Sequence, residues 1–189
     1  DKTGASFVRD FIEERNNVKV VSSLCSRTIC LLDGTTSMSH LMQKSKNTVK
    51  AMFENGSAVL KDHGVSENAF KMQFVIFRNY DCKKEKLLQY STWESEPDNL
   101  RAFMSTIRAE GGTWMPEAIE IGLWHVNQEA NEAEVDQVIL IGDAPANTPE
   151  LVARGRKEYK GESYWQSTEK FAEKIYAEDE LKTLAERGI

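Results

Sequence analysis

Cysteine is scarce and unpatterned. Cys25, Cys30 and Cys82 are the only three, they form no CxxC pair and no His/Cys cluster at zinc spacing, and an odd count makes no disulfide framework. The expected compartment is a reducing one, the cytoplasm. Excess positive charge is also missing: 24 Lys and Arg face 30 Asp and Glu, a formal net charge of -6, and the basic residues are scattered along the chain. Nucleic acid and anionic membrane are therefore not expected partners. No apolar run approaches the roughly 18 residues of a membrane-spanning helix. The opening "DKTGASFVRDF" lacks the basic-then-apolar layout of a signal peptide. There is no initiator Met at Asp1, so the chain reads as a trimmed product or as part of something longer.

What is present is ordinary globular material. A length of 189 residues, 40 % hydrophobic and 29 % charged, suits one sizeable α/β domain with its own core and is short for two. Residues 25–189 are expected to form that domain, and residues 1–24 to lead into it.

Three apolar runs read as strands: "TICLL" at 28–32, "FKMQFVIF" from Phe70, and the apolar centre of "DQVILIGD" at 138–141. "KLLQYSTW" from Lys86 reads as a weaker strand forming a hairpin with the second. Leu41, Thr48, Val49, Met52 and Phe53 recur at helical spacing, predicting a helix over 39–60. Glu96, Pro97 and Asp98 open another, which ends near Gly111 and Gly112. Pro116 is expected in the first turn of a third helix, a short helix follows Pro149, and a long one is expected over 167–187 with Phe171, Ile175, Leu181 and Leu184 facing inward. Strands alternating with helices predict an α/β fold: a doubly wound, mostly parallel central sheet with helices on both faces. Ligands of such sheets bind beyond the carboxyl ends of the strands.

Two of the strand runs end in aspartate, at Asp33 and Asp143, and the glycine pair places Thr113 on a loop between two helices. In "LLDGTTSMS", Asp33, Thr35 and Ser37 alternate, so that every second side chain can turn toward one point. If the two strands are neighbours, Asp33, Thr35, Ser37, Thr113 and Asp143 meet at one edge. That set offers oxygen ligands only, which suits Mg²⁺, with Mn²⁺ or Ca²⁺ possible, over zinc or copper. Trp114 and Met115 lie beside Thr113, where they are expected to form a contact rim for a protein partner. His40 has no partner nucleophile or orienting acid at recognisable spacing and reads as a solvent-facing first-turn residue, His63 as a dipole partner at a helix C-terminus, His125 as packed or snorkelling on its helix, and Cys30 as a small core hydrophobe.

These residues resemble a known family. "DGTTS" is similar to the DxSxS/DxTxS signature of von Willebrand factor A domains, and "GGT" and "LIGDAP" resemble their two other metal-site loops, with similarity running from about residue 28 to 189. The strongest resemblance is to the intracellular branch found beside alpha-type protein kinases, through "DGTTSM", "FVIFRNYD", "TWMPEAIEIGL" and "IGDAPAN". Asn79 stands where that branch commonly has a carboxylate. The resemblance implies a metal-ion-dependent adhesion site with Asp33, Ser37 and Thr113 nearest the cation, and Thr35 and Asp143 holding its waters. It also implies a partner protein that presents Asp or Glu to the metal, so that binding rather than turnover is the output. Family members run on into a final sheet strand that this chain is expected to lack.

Two other functions fit parts of the pattern. A haloacid dehalogenase-like Mg²⁺-dependent phosphatase also uses a strand-end Asp, but its usual general acid two residues on would fall at Thr35. A metal-free structural domain within a complex needs no occupied site.

Overall fold

The computed structural model describes residues 25–64, 66, 69–113 and 116–189. Strand β1 (Ser26–Asp33) lies between β2 (Phe70–Phe77) and β4 (Gln137–Ile141), parallel to both, and β3 (Leu88–Tyr90) closes the far edge antiparallel to β2. The sheet is therefore mixed, and the fold is α/β. The antiparallel pair is the hairpin read from the sequence, shortened because residues 84–87 form a helical turn, α2 (Lys84–Leu87), before the strand begins.

Strand alternation divides the core in two. Ile29, Leu31, Val75 and Phe77 face one layer, whereas Cys30, Leu32, Phe74 and Ile76 face the other. All eight are fully buried, as a central strand pair covered on both faces requires. The second layer is filled by α1 (Ser39–Asp62), through Met42, Val49 and Phe53, and by α3 (Pro97–Thr106), through Leu100 and Met104. The first is covered by α4 (Ile119–Glu132), α5 (Pro149–Tyr159), α6 (Glu162–Gln166) and α7 (Ala177–Arg187). Trp165 of α6 is wholly buried there, edge-on to Tyr80 at 5.4 Å between ring centroids.

Four expectations about helices need correction. The helix expected to end near Gly111 and Gly112, α3, stops at Thr106. Pro116 does not start α4, because the backbone of Glu117 pairs with the loop after β4 instead: Glu117 N–H donates to Pro145 O (2.9 Å) and Asn147 N–H donates to Glu117 O (3.1 Å). The last helix begins at Ala177, about ten residues late. The buried guanidinium of Arg156 donates to the carbonyls of Phe171, Ala172 and Glu173, which fixes that segment outside a helix while Phe171 and Ile175 stay buried. Leu181, expected to face inward, is 53 % exposed on α7.

β4 is the sheet edge opposite β3, with Leu140 exposed, and among the described residues no strand follows it. Also among the described residues, no helix is long and apolar enough to cross a membrane. Chain direction positions the site. From β1 the chain crosses to β2 on one side, whereas β4 lies on the other, so the loops leaving β1 and β4 diverge beside one another at their carboxyl ends. An open α/β sheet forms its ligand crevice at such a point.

Candidate metal centre

The register places the two strand-end aspartates together. Leu32 pairs with Ile141, so Asp33 and the Gly142–Asp143 turn leave the sheet at the same level. A Cβ on Gly142 would lie 3.9 Å from Asp33 Oδ2. Asp33 is fully buried; its Oδ1 accepts from Thr35 N–H (2.8 Å), and its Oδ2 has no hydrogen-bond partner. From Thr35 a chain of hydroxyls runs outward. The Thr35 and Ser37 hydroxyls share a hydrogen bond of 3.1 Å, and Ser37 donates to Asp143 Oδ1 at 3.0 Å. Four of the five sequence-predicted ligands thus form one connected set, buried at Asp33 and Thr35 and exposed at Ser37 and Asp143. Thr36 and Ser39 make the turn itself, since the Ser39 hydroxyl donates to Thr36 O.

Thr113 sits on the adjoining loop. Asp81 holds it there by accepting from Gly112 N–H (3.1 Å) and Thr113 N–H (2.9 Å), and Thr36 N–H donates to Gly111 O (3.0 Å). The Thr113 hydroxyl bonds to the Tyr159 hydroxyl of α5 at 3.0 Å, so it is engaged away from the Thr35–Ser37–Asp143 chain. Trp114 and Met115, the expected partner rim, lie outside the described residues.

Gly112 is the closest packing point between the two loops. Its φ is +72°, and a Cβ there would stand 2.6 Å from Thr35 Cβ. Gly112→Ala combines left-handed backbone cost with a clash against a buried neighbour, so a loss of about 2 kcal/mol is expected in urea unfolding. An unchanged midpoint would show that the loops are not packed this way.

Glu117, which the sequence pattern reads as part of a helix turn, is the principal addition. It is 1 % exposed, and neither carboxyl oxygen has a hydrogen-bond partner. Oε1 lies 3.4 Å from where a Gly112 Cβ would stand, which puts it at the Thr35 side of the site. Burial first, then the Asp33 charge, push its carboxyl up to about 8, with Asp143 and Asp81 adding and the Thr35 side chain opposing. Burial likewise raises Asp33, against the pull of the Thr35 hydrogen bonds, with Asp143 adding. The pairing of Glu117 with the β4 loop could not be seen from helical periodicity, because it is a contact between segments distant in sequence.

Behind the site, Arg78 ties its loops together. The side chain is fully buried and donates from Nε to Gly34 O (3.0 Å), from Nη1 to Lys86 O and Gln89 Oε1 (both 2.8 Å), and from Nη2 to Arg108 O (2.7 Å). On the α4 side, Tyr80 donates to Glu120 Oε1 (2.9 Å), and Asn147 bridges Glu120 and Asn79. Asn79 in turn donates to Pro116 O (2.6 Å), which links the segments after β2, before α4 and after β4.

Among the described residues, no group of three or more His, Cys, Asp or Glu side chains is gathered as a metal site. A cation at this edge would therefore depend on hydroxyl donors as well as carboxylates. The donor set meets that need: oxygen atoms only, three of them buried carboxylate oxygens without a hydrogen-bond partner, at Asp33 and Glu117. Hard divalent cations take such ligands.

No sequence-family model matches the chain, and no curated protein does. Among solved structures, the chain is similar to two crystal structures of the pilus adhesin SpaC from Lactobacillus rhamnosus GG, one of them in an open conformation. In each the TM-score is 0.46 and the identity 16 %, over 61 % and 63 % of this chain and 14 % and 15 % of that one. This chain spans about a seventh of the adhesin's length, and a likeness this distant does not place it in a family.

Proposed function

We propose that this chain is a von Willebrand factor A-like domain, with the doubly wound sheet of that fold, and that it works as a non-enzymatic, divalent-metal-dependent protein interaction module. Asp33 and Ser37 would hold the cation with Thr113, while Thr35 and Asp143 would orient its waters. Glu117 would supply negative charge beneath them once a cation displaces its proton. Mg²⁺ is the cation favoured by oxygen donors with few direct carboxylates; such a site leaves a position for an Asp or Glu side chain of a partner protein. The setting that suits this role is a larger protein or assembly in the cytoplasm.

What supports the reading is the gathering of carboxylate oxygens without partners, Asp33 Oδ2 and both oxygens of Glu117, at the edge where Thr35, Ser37 and Asp143 are linked. Buried carboxylates normally find a donor or a cation. A phosphatase would need a second acid two residues beyond Asp33, and Thr35 stands there with its hydroxyl on Ser37.

Thermal unfolding across an Mg²⁺ or Mn²⁺ titration tests the claim. Saturating metal is expected to stabilise the wild type by about 2–4 kcal/mol, a rise of roughly 4–16 °C in Tm at this chain length. Asp33→Ala should remove the rise. Equal melting with and without metal in the wild type would contradict a metal site.

A further inference from the structure

A groove of about 640 Å³ runs between α1 and α3 on the face away from α4. Its walls carry four cations, Lys46 and Lys50 from α1, and Arg101 and Arg108 from α3 and the turn after it, with the amides Gln43 and Asn47 beside them. No Asp or Glu lines it among the described residues. In a chain of net charge -6, one wholly basic groove is a local reversal of sign. Oriented charge of one sign in a cleft concentrates ligands of the other.

Lys46 is the telling residue. Met42, Lys46, Val49 and Phe53 form one stripe of α1 at spacings of three and four, and all four are buried. A lysine thus occupies a core-facing position, 8 % exposed. Its Nζ donates to Ile107 O at 2.7 Å, which uses one of three donors, and no carboxylate of the described residues lies within 4.0 Å of it. Burial, and then the Arg108 charge, hold its ammonium below the ordinary lysine range. A buried cation facing a second cation is costly without an anion nearby.

The other three are available to a ligand. Arg108 is fixed through Nη1 to the carbonyls of Ser105 and Ile107. Lys50 pairs with Glu54 (3.5 Å) and Arg101 with Asp98, the first pair partly exposed and the second exposed, each within one helix. Such solvent-screened pairs contribute little and give way to a better partner.

We propose that this groove is an anion-binding site for an acidic polypeptide segment, separate from the metal centre and independent of any cation. Shape favours a chain over a small anion: the groove is open along two helices, and its cations are spread along both walls. Lys46 and Lys50 stand one helical turn apart, about 6 Å in rise. Alternate side chains of an extended segment repeat at about 6.6 Å, so successive acidic residues on one face of such a segment match that spacing. Ser39 and Ala109 are among its lining residues. Both adjoin the metal-site loops, since Glu110 N–H donates to Gly34 O at 2.9 Å.

The probe is a fluorescein-labelled peptide alternating Glu and Ser, titrated with the full chain in EDTA and followed by anisotropy. Saturable binding is expected, weakening as salt is raised. It should weaken by about tenfold or more in Lys50→Glu/Arg108→Glu, positions half-buried and exposed respectively, and persist in Asp33→Ala, so that failure here and failure of the metal reading are separate results. No binding overturns the proposal. So does equal weakening by Lys157→Glu/Lys182→Glu on α5 and α7, which would mean charge attraction without a site. Pyrophosphate or an oligothymidylate that binds more tightly than the peptide, and is lost in the same groove variant, also overturns the assignment to acidic polypeptide.

Discussion

Arg78→Met is expected to lower the stability of the domain by about 3–5 kcal/mol, because removing a buried charged donor takes a hydrogen bond from every acceptor it served. Four acceptors depend on it: the carbonyls of Gly34, Lys86 and Arg108, and the side-chain oxygen of Gln89. Methionine fills similar volume and offers none of the donors, so Lys86 O, Arg108 O and Gln89 Oε1 lose this partner, while Gly34 O keeps only the Glu110 N–H. At this chain length the loss corresponds to a drop in Tm of roughly 6–20 °C. Gly34 directly follows Asp33, so the same variant should also loosen the site. Arg78→Lys keeps a charge but not the planar fork, and should recover less than half of the loss. A change within 1 kcal/mol for Arg78→Met, by urea unfolding, would mean that the guanidinium does not hold these loops.

The second large effect concerns pH. In the folded chain Glu117 titrates near 8, against an ordinary value of 4.5. Between those values the folded state keeps a proton that the unfolded chain has released. Stability from this group is therefore complete below pH 4.5 and is lost as pH rises toward 8, at about 1.4 kcal/mol per pH unit. Glu120, raised to about 7 mainly by burial, acts in the same direction over a narrower window. His125 opposes them at the acid end: burial lowers it to about 4 from 6.5, so its contribution is present above 6.5 and is lost as pH falls. Without metal, stability should peak in mildly acidic solution and fall by pH 8. Glu117→Gln, which cannot ionise, should be more stable than wild type at pH 8 by on the order of 3 kcal/mol and similar to it at pH 5. Parallel pH profiles for the two proteins would contradict a Glu117 carboxyl buried without a partner.

Much of the fold was legible because its strands are short apolar runs bounded by polar residues. β1, β2 and β4 fall where hydrophobicity placed them, and β3 lies within the run from Lys86 read as the hairpin's second strand. Local signals failed where distant segments decide the backbone. Nothing near Phe171 announces that Arg156 will take its carbonyl, and nothing near Pro116 announces that Glu117 will pair with the β4 loop. The site divides along the same line. The places of Asp33 and Asp143 could be read because a residue that closely follows an apolar strand run lies where the chain leaves the sheet. Glu117 and Arg78 could not, since their importance comes from what three separate loops place around them. Charge behaved likewise: Lys and Arg look scattered along the chain, yet two from α1 and two from α3 and its turn share one groove.

Equilibrium binding of Mn²⁺, read by the loss of free-ion signal in electron paramagnetic resonance, is the decisive test of the metal centre. One saturable site per chain is predicted in the wild type, competed by Mg²⁺ and lost in Asp33→Ala, with Ser37→Ala weakened. No saturable binding in the wild type, or binding of equal strength in Asp33→Ala, would contradict a cation held at this sheet edge.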